Sequence, residues 1–473
     1  MQKTLSLILA ALILLSSYSI PKASDGAKQT MPHKKDCAVK LPENFWSASG
    51  AAEFRDAETW AWNKICIGNP ANMRFAAKAG YDNKECKPAE IERKKEKVPN
   101  HRILRPEFIE LVLSHDPWAS VARHPRVIIQ CALVKGNITL ANHDISPSFF
   151  FINGKIEGYI MLINAQFKRS LSFQGTTVTK ILNADRLEVR GSLFLRNGGS
   201  FGRINLLGAK IGTSLQFGGS TFSNRINLTG ATIGGELNLL EGGREGTPIW
   251  RSKARLILRN ARAGALHASM SNWNMSKNGK FLPTELTGFV YTRLGGMDEP
   301  GSRFMGDASA DWLTDRIEAQ LDHGKFYDPQ PYTQLASVLD AAGATEKAKA
   351  ILYAKFEHKR VSDKTISPAR RAALWLEKWI IGYGLFPFHV LYWFFGLVAV
   401  GGVLAQFSKE PSVRGLIGLW YSLENALPLI ETSENFKNTS HGFWWLSHYF
   451  HFQKLVGFVL ATVLVGALTL LSG

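Results

Sequence analysis

The sequence predicts a mainly β protein: a right-handed β-helix of 22-residue coils, with α-helical caps and C-terminal transmembrane helices. Three observations predict it. Apolar residues return every eleven positions at Val127, Ile138, Phe149, Ile160, Leu171, Leu182, Leu193, Ile204, Leu215, Ile226 and Leu237. Most positions two later are apolar as well, among them Ile129, Leu140, Phe151, Leu206, Phe217 and Leu228. Near the C-terminus, Phe388 to Phe407 runs for twenty residues without a charge, long enough to cross a bilayer as a helix.

The repeat dominates the middle of the chain. Segments starting at Ile204 and Ile226 match each other better than either matches the one starting at Leu215, so the period is 22 residues in two halves. A fixed internal period of this size is the signature of stacked repeats. Apolar-x-apolar alternation means short strands with one face inward. Gly and Asn before the corners suit left-handed backbone. The inward residues are Leu206, Ile211, Phe217, Phe222, Leu228, Ile233 and Leu239. Their spacing resembles that of the pentapeptide-repeat β-helices, widened by one residue on alternate faces.

The other elements follow in chain order. The 473-residue chain is long enough for several domains. Residues 1–24, with Lys3 and the apolar run Leu5 to Leu15, read as a signal peptide or an uncleaved signal anchor. Residues 25–125 read as an N-terminal cap containing Cys and Trp. Trp46, Trp60, Trp62 and Trp118 require burial, and a helix runs from His101 to Leu113 with Pro106 in its first turn. The four cysteines, Cys37, Cys66, Cys86 and Cys131, are disulfide candidates after an export signal. Buried free thiols are the alternative. Residues 126–295 hold the β-helix and a basic exit segment.

That exit is the densest cationic stretch. From Arg251 to Arg293 there are eight Lys or Arg and one acid, in a chain of formal charge +17. Arg251, Lys253 and Arg255 alternate, as on one strand face, and Arg259 and Arg262 follow. Such a patch suits anionic lipid head groups or another polyanion. A solvated edge that blocks strand addition explains the same residues. Nucleic acid is not expected as a partner of an exported segment; membrane lipid, anionic head groups or an envelope protein are.

Residues 305–380 read as a helical hairpin and linker: helices from Asp311 to Leu321, from Tyr332 to Gly343 and from Thr345 to Lys355. The pair around Gly343 resembles a single tetratricopeptide hairpin. One copy forms no peptide groove, because such repeats need stacked neighbours.

Residues 381–473 read as a membrane domain of two spans, Phe388–Phe407 and Leu455–Leu471, around a short apolar helix from Gly415 to Ile430. Glu424 on that helix is an ionisable group at membrane depth. His441, His448 and His451 share one face of an aromatic-rich helix. They are metal or haem candidates, and an aromatic-rich interfacial helix, the favoured reading, explains the same residues. Gly382-Tyr383-Gly384 precedes the first span, so it is not a filter between the two.

Leu286 to Leu294, Pro329 to Ala336 and Ile381 to Pro387 together resemble a bacterial family of membrane-anchored proteins with pentapeptide-like β-helices. Its members are sometimes labelled membrane-associated oxidoreductases. The resemblance spans roughly residues 100–473 and brings no catalytic residues with it. The sequence contains no strand-linked G-x-G-x-x-G, no C-x-x-C and no nucleophile elbow. The expectation is a non-catalytic envelope scaffold or binding protein without cofactor, in the bacterial inner membrane, with the β-helix on the periplasmic side. A membrane-associated oxidoreductase or metal/haem protein and a degenerate two-helix channel remain as alternatives.

Overall fold

The computed structural model describes residues 37–47, 51–76, 98–122, 126–239, 246–268, 273, 281–295, 308–320, 327–427, 436 and 442–472. Residues 1–24, Cys86 and His441 lie outside them.

The mainly-β, right-handed β-helix class is overturned. Helix outweighs strand, about 43% against 23%, and parallel sheets combined with helices point to an α/β fold. The physical reason is strand length. Many strands in the repeat segment are two residues long, such as Lys210–Ile211 and Leu215–Gln216. Corners take much of the rest. The helices before and after the repeat therefore carry more of the chain.

The strands form two parallel sheets, and the chain passes from one to the other and back. The eleven-residue beat becomes strand register. Phe149 pairs with Leu171, Leu171 with Leu193, Leu193 with Leu215, and Leu215 with Leu237 on the first sheet. Ile160 pairs with Leu182, Leu182 with Ile204, and Ile204 with Ile226 on the second. Each inward column is thus a run of apolar side chains at the strand spacing. Leu206, Ile211, Phe217, Phe222, Leu228, Ile233 and Leu239 are all buried between the sheets. Phe201, Phe222 and Trp250 stack in line, with ring centroids 5.7 and 5.1 Å apart.

The corners are left-handed, and they too recur with the register. One column holds Asn142, Asn164, Arg186, Gly208, Gly230, Asn260 and Gly288, all at positive φ. Asn and Gly tolerate that backbone best. Where the residues are polar they link: Asn164 Nδ2 donates to Asn142 Oδ1 at 2.9 Å, and Arg186 Nε donates to Asn164 Oδ1 at 2.6 Å.

The N-terminal segment adds a first strand to each sheet. Ala71–Asn72 pairs with Ile129–Gln130, and Ile103–Leu104 with Leu133–Val134. Helix α1 (Arg55–Cys66) and helix α2 (Pro106–Ser114), with Pro106 in its first turn, pack beside them. Trp62 is buried, and Trp46, Trp60 and Trp118 pack half-buried against the same core. Cys37 and Cys66 form a disulfide. Glu58 is fully buried on α1 and faces Arg105. Arg105 Nη2 donates to Glu58 Oε2 at 2.7 Å, its backbone N–H to Oε1 at 2.8 Å, and its guanidinium lies 4.3 Å from the Phe45 ring centroid. Burial pushes the Glu58 carboxyl up, and Arg105 opposes the shift.

The far end is closed by helices. Helix α3 (Ala310–Glu318) and helix α4 (Gln330–Ala341) approach the last strands, and helix α5 (Thr345–Ser362) pairs with α4. Three glutamines meet the open strand edge. Gln320 Oε1 accepts the Leu286 N–H, Gln330 bonds Gly288 N–H and Phe289 carbonyl, each at 3.0 Å, and Gln334 donates to the Tyr291 carbonyl at 2.6 Å. An open edge of parallel strands otherwise exposes unpaired backbone groups.

Helix α6 (Pro368–Ile381) leads to an elbow and then to helix α7 (His389–Ala405), helix α8 (Leu416–Ala426) and helix α9 (Trp444–Ser472). The separate interfacial helix and second span expected from sequence are one continuous helix, α9. Trp444–Gly466 is long and apolar enough to cross a membrane; α6 and α7 qualify only jointly, as a bent pair. Gly401, Gly402, Gly418 and Gly457 let α7, α8 and α9 approach with no room for a side chain. Buried Gln453 donates to Ser422 Oγ at 2.6 Å, and Ser422 Oγ donates to the Val398 carbonyl at 2.8 Å. Small residues with a few buried polar links are a usual means of helix association in lipid.

Candidate functional site

The strand register assembles a basic face that linear sequence disperses. On the second sheet, Arg225 pairs with Arg255. Arg203 precedes Ile204, whose partner is Ile226, so Arg203 occupies the same position one strand earlier. Each arginine precedes an inward Ile or Leu and therefore points outward. All three are exposed. They stand on successive strands at about 4.8 Å. With Asn224, Ser252 and Lys253 they line a surface cleft of about 340 Å³.

Among the described residues, no carboxylate pairs with Arg203, Arg225, Lys253 or Arg255. On the first sheet one stacked pair is balanced: Lys210 follows Glu188 in register and bonds it at 2.7 Å. Like charges directly opposite each other are unfavourable in a sheet. The column of three arginines is therefore unfavourable in the free protein, and an anion would relieve it.

The structure divides the cations predicted from sequence. Lys253 and Arg255 join the cleft. Arg251, Ser252 and Lys253 lie in a turn, not on a strand, because the strand begins at Arg255. The alternation of Arg251, Lys253 and Arg255 is thus not a shared strand face. Arg259 pairs with Glu285, which removes it from the unbalanced set. Arg262 belongs to the other sheet, in register with Thr232 and Val290. Sequence reasoning missed Arg203 and Arg225. The available signal was their shared place in the repeat, one residue before Ile204 and Ile226.

The remaining candidates are distributed. Besides Cys37–Cys66, Cys131 is disulfide-bonded, and it sits at a left-handed corner. Glu424 is half-buried on α8. His448 and His451 are exposed on α9, and the Nδ1 of each lies 2.7 Å from a carbonyl one turn back, Trp444 and Ser447 respectively. Among the described residues, no group of three or more His, Cys, Asp or Glu is placed to hold a metal ion.

No protein family model, no curated protein and no solved structure matches the chain.

Proposed function

We propose that the chain is a membrane-anchored, non-catalytic binding protein of the bacterial envelope, whose two-sheet body presents a basic face to an anionic partner. The observation that carries this reading is the column Arg203, Arg225, Arg255, with Lys253 beside it and no carboxylate balancing it among the described residues. A planar guanidinium bonds phosphate, sulfate or carboxylate groups through paired N–H donors. A column of them suits a polymer or a lipid surface carrying repeated anions. Two observations support the location. The Cys37–Cys66 disulfide fits an oxidising compartment, with the sheets on the periplasmic side. The apolar helix Trp444–Gly466 supplies an anchor in the inner membrane.

The test uses the full chain in discs of zwitterionic lipid, with sulfated dextran as polyanion and neutral dextran as control. Sulfated dextran is expected to bind, with affinity falling steeply as salt rises. The triple variant Arg203→Gln, Arg225→Gln, Arg255→Gln is expected to lose at least tenfold in affinity. Equal binding of the two dextrans, or full binding by the triple variant, would overturn the reading. Protease shaving of intact spheroplasts tests the side: cleavage from outside is expected, and protection until lysis would place the sheets in the cytoplasm.

A further inference from the structure

Helix α6 presents an exposed surface beside the membrane helices. It ends at Gly382, Tyr383 and Gly384, three consecutive residues at φ of +52°, +61° and +81°. This left-handed run turns the chain so that the axes of α6 and α7 meet at 114°. The turn is held from both sides. Trp393 Nε1 on α7 donates to the Trp379 carbonyl on α6 at 2.8 Å. Glu357 on α5 gathers the Lys378 ammonium at 3.1 Å, the Tyr383 hydroxyl at 2.6 Å and the Arg360 guanidinium at 2.5 Å.

The outward face of α6 is apolar. Trp375, Leu376 and Trp379 are 50%, 52% and 53% exposed, while Leu374 on the other side is buried. Ala372 is exposed as well, so 372, 375, 376 and 379 give the i, i+3, i+4, i+7 stripe of one helix face. The helix carries Arg370, Arg371 and Lys378. Arg370 pairs with Glu377 at 2.8 Å and Lys378 with Glu357, so among the described residues Arg371 is the cation of this helix outside an ion pair. The exposed aromatic surface continues past the elbow through Phe388, Tyr392 and Trp393.

We propose that α6 lies in the headgroup layer of an anionic leaflet, with Trp375, Leu376 and Trp379 inserted and Arg371 at the phosphates. This rests on the membrane-anchored reading above. The geometry carries it: if α7 crosses the bilayer within an ordinary tilt of about 20°, an elbow of 114° sets α6 between about 4° and about 44° from the membrane plane, nearer the plane than the normal. An apolar Trp and Leu stripe with Arg371 and Lys378 along its flank is the composition of an interfacial helix. Arg371, outside any ion pair among the described residues, favours anionic lipid. The Glu357 hub would then fasten the helical end of the sheet body to the bilayer surface.

The experiment reconstitutes the full chain in discs of phosphatidylcholine and phosphatidylglycerol. The phosphatidylglycerol bears a photoactivatable diazirine either near the headgroup or at the chain end, and adducts are mapped by mass spectrometry. The peptide 368–381 is expected to take several-fold more adduct from the shallow probe than from the deep one. The middle of α9 is expected to show the reverse. With the same probes carried on phosphatidylcholine in discs without anionic lipid, labelling of α6 is expected to fall at least twofold. Labelled α9 with unlabelled α6 would overturn this inference alone and point to a protein, such as a second copy, covering the stripe. Equal labelling of α6 in neutral discs would overturn its preference for anionic lipid. Absence of deep labelling on α9 would overturn the anchoring reading with it.

Discussion

Arg225 is the central rung of the cation column, and replacing it by Gln should have two effects of opposite sign. With Arg203 and Arg255 one strand away on either side, each neighbour lies about 4.8 Å distant at the backbone. In water, unit charges at that distance repel by about 0.9 kcal/mol each, and a Debye length of roughly 8 Å at 0.15 M salt reduces this to about 0.5. Removing the central charge therefore relieves up to about 1 kcal/mol in the unliganded protein, an upper bound because exposed side chains splay apart. Arg203, with one cationic neighbour in the column, should give about half as much on Arg203→Gln. The assay is denaturant unfolding of the reconstituted chain across a salt series. Arg225→Gln should stabilise at low salt, the gain should fade toward 1 M salt, and sulfated dextran affinity should drop. If Arg225→Gln is neutral or destabilising at low salt, the guanidiniums do not repel one another. The column would then hold no uncompensated charge.

Three further predictions concern the scaffold. Leu228 is buried between the sheets, so Leu228→Asp places an unpaired charge there and should cost at least about 4 kcal/mol; an unchanged melting curve would disprove its inward placement. Glu58→Ala leaves Arg105 largely buried without its carboxylate and should cost about 3–5 kcal/mol in an unfolding titration, well beyond a surface substitution. The Glu357 carboxyl is held down, at about 2, mainly by its bond to Arg360 and further by Tyr383 and Lys378. Its folded value lies below its ordinary one of 4.5, so its contribution is complete above pH 4.5 and lost as pH falls toward 2. Hydrogen exchange on α5 and α6 should accelerate through that window, and Glu357→Gln should flatten the response.

Much of the sheet body was legible in the sequence. The seven inward residues from Leu206 to Leu239 were readable because a side chain facing a two-sheet core tolerates only apolar character at a fixed spacing. The corners were readable where Asn or Gly filled them. They were hidden at Cys131 and Arg186, which adopt positive φ without the residue types that announce it. The class was misjudged because periodicity reports where strands stack, not how short each one is. The basic cleft was only half visible. Lys253 and Arg255 sit near each other in the chain, whereas Arg203 and Arg225 reach them through register alone. Gly382-Tyr383-Gly384 stood out, but its use as an elbow depends on three dihedral angles that composition does not encode.

The sheet register bears on how this chain can change length. Most partners are 22 residues apart, yet Arg225 pairs with Arg255 across 30 and Leu256 with Thr284 across 28. The surplus residues enter between strands, and the ladder resumes beyond them in the same columns. Growth of the chain is therefore readily absorbed at the corners, and within the rungs only where a bulge takes up a one-residue shift, as between Val178 and Ile181 and between Ile233 and Glu236; elsewhere one extra residue would turn every side chain to the wrong face. A reporter peptide spliced between Leu239 and Gly246 should leave the apolar columns aligned and the cation column intact. The same peptide placed between Ile226 and Leu228 should break both.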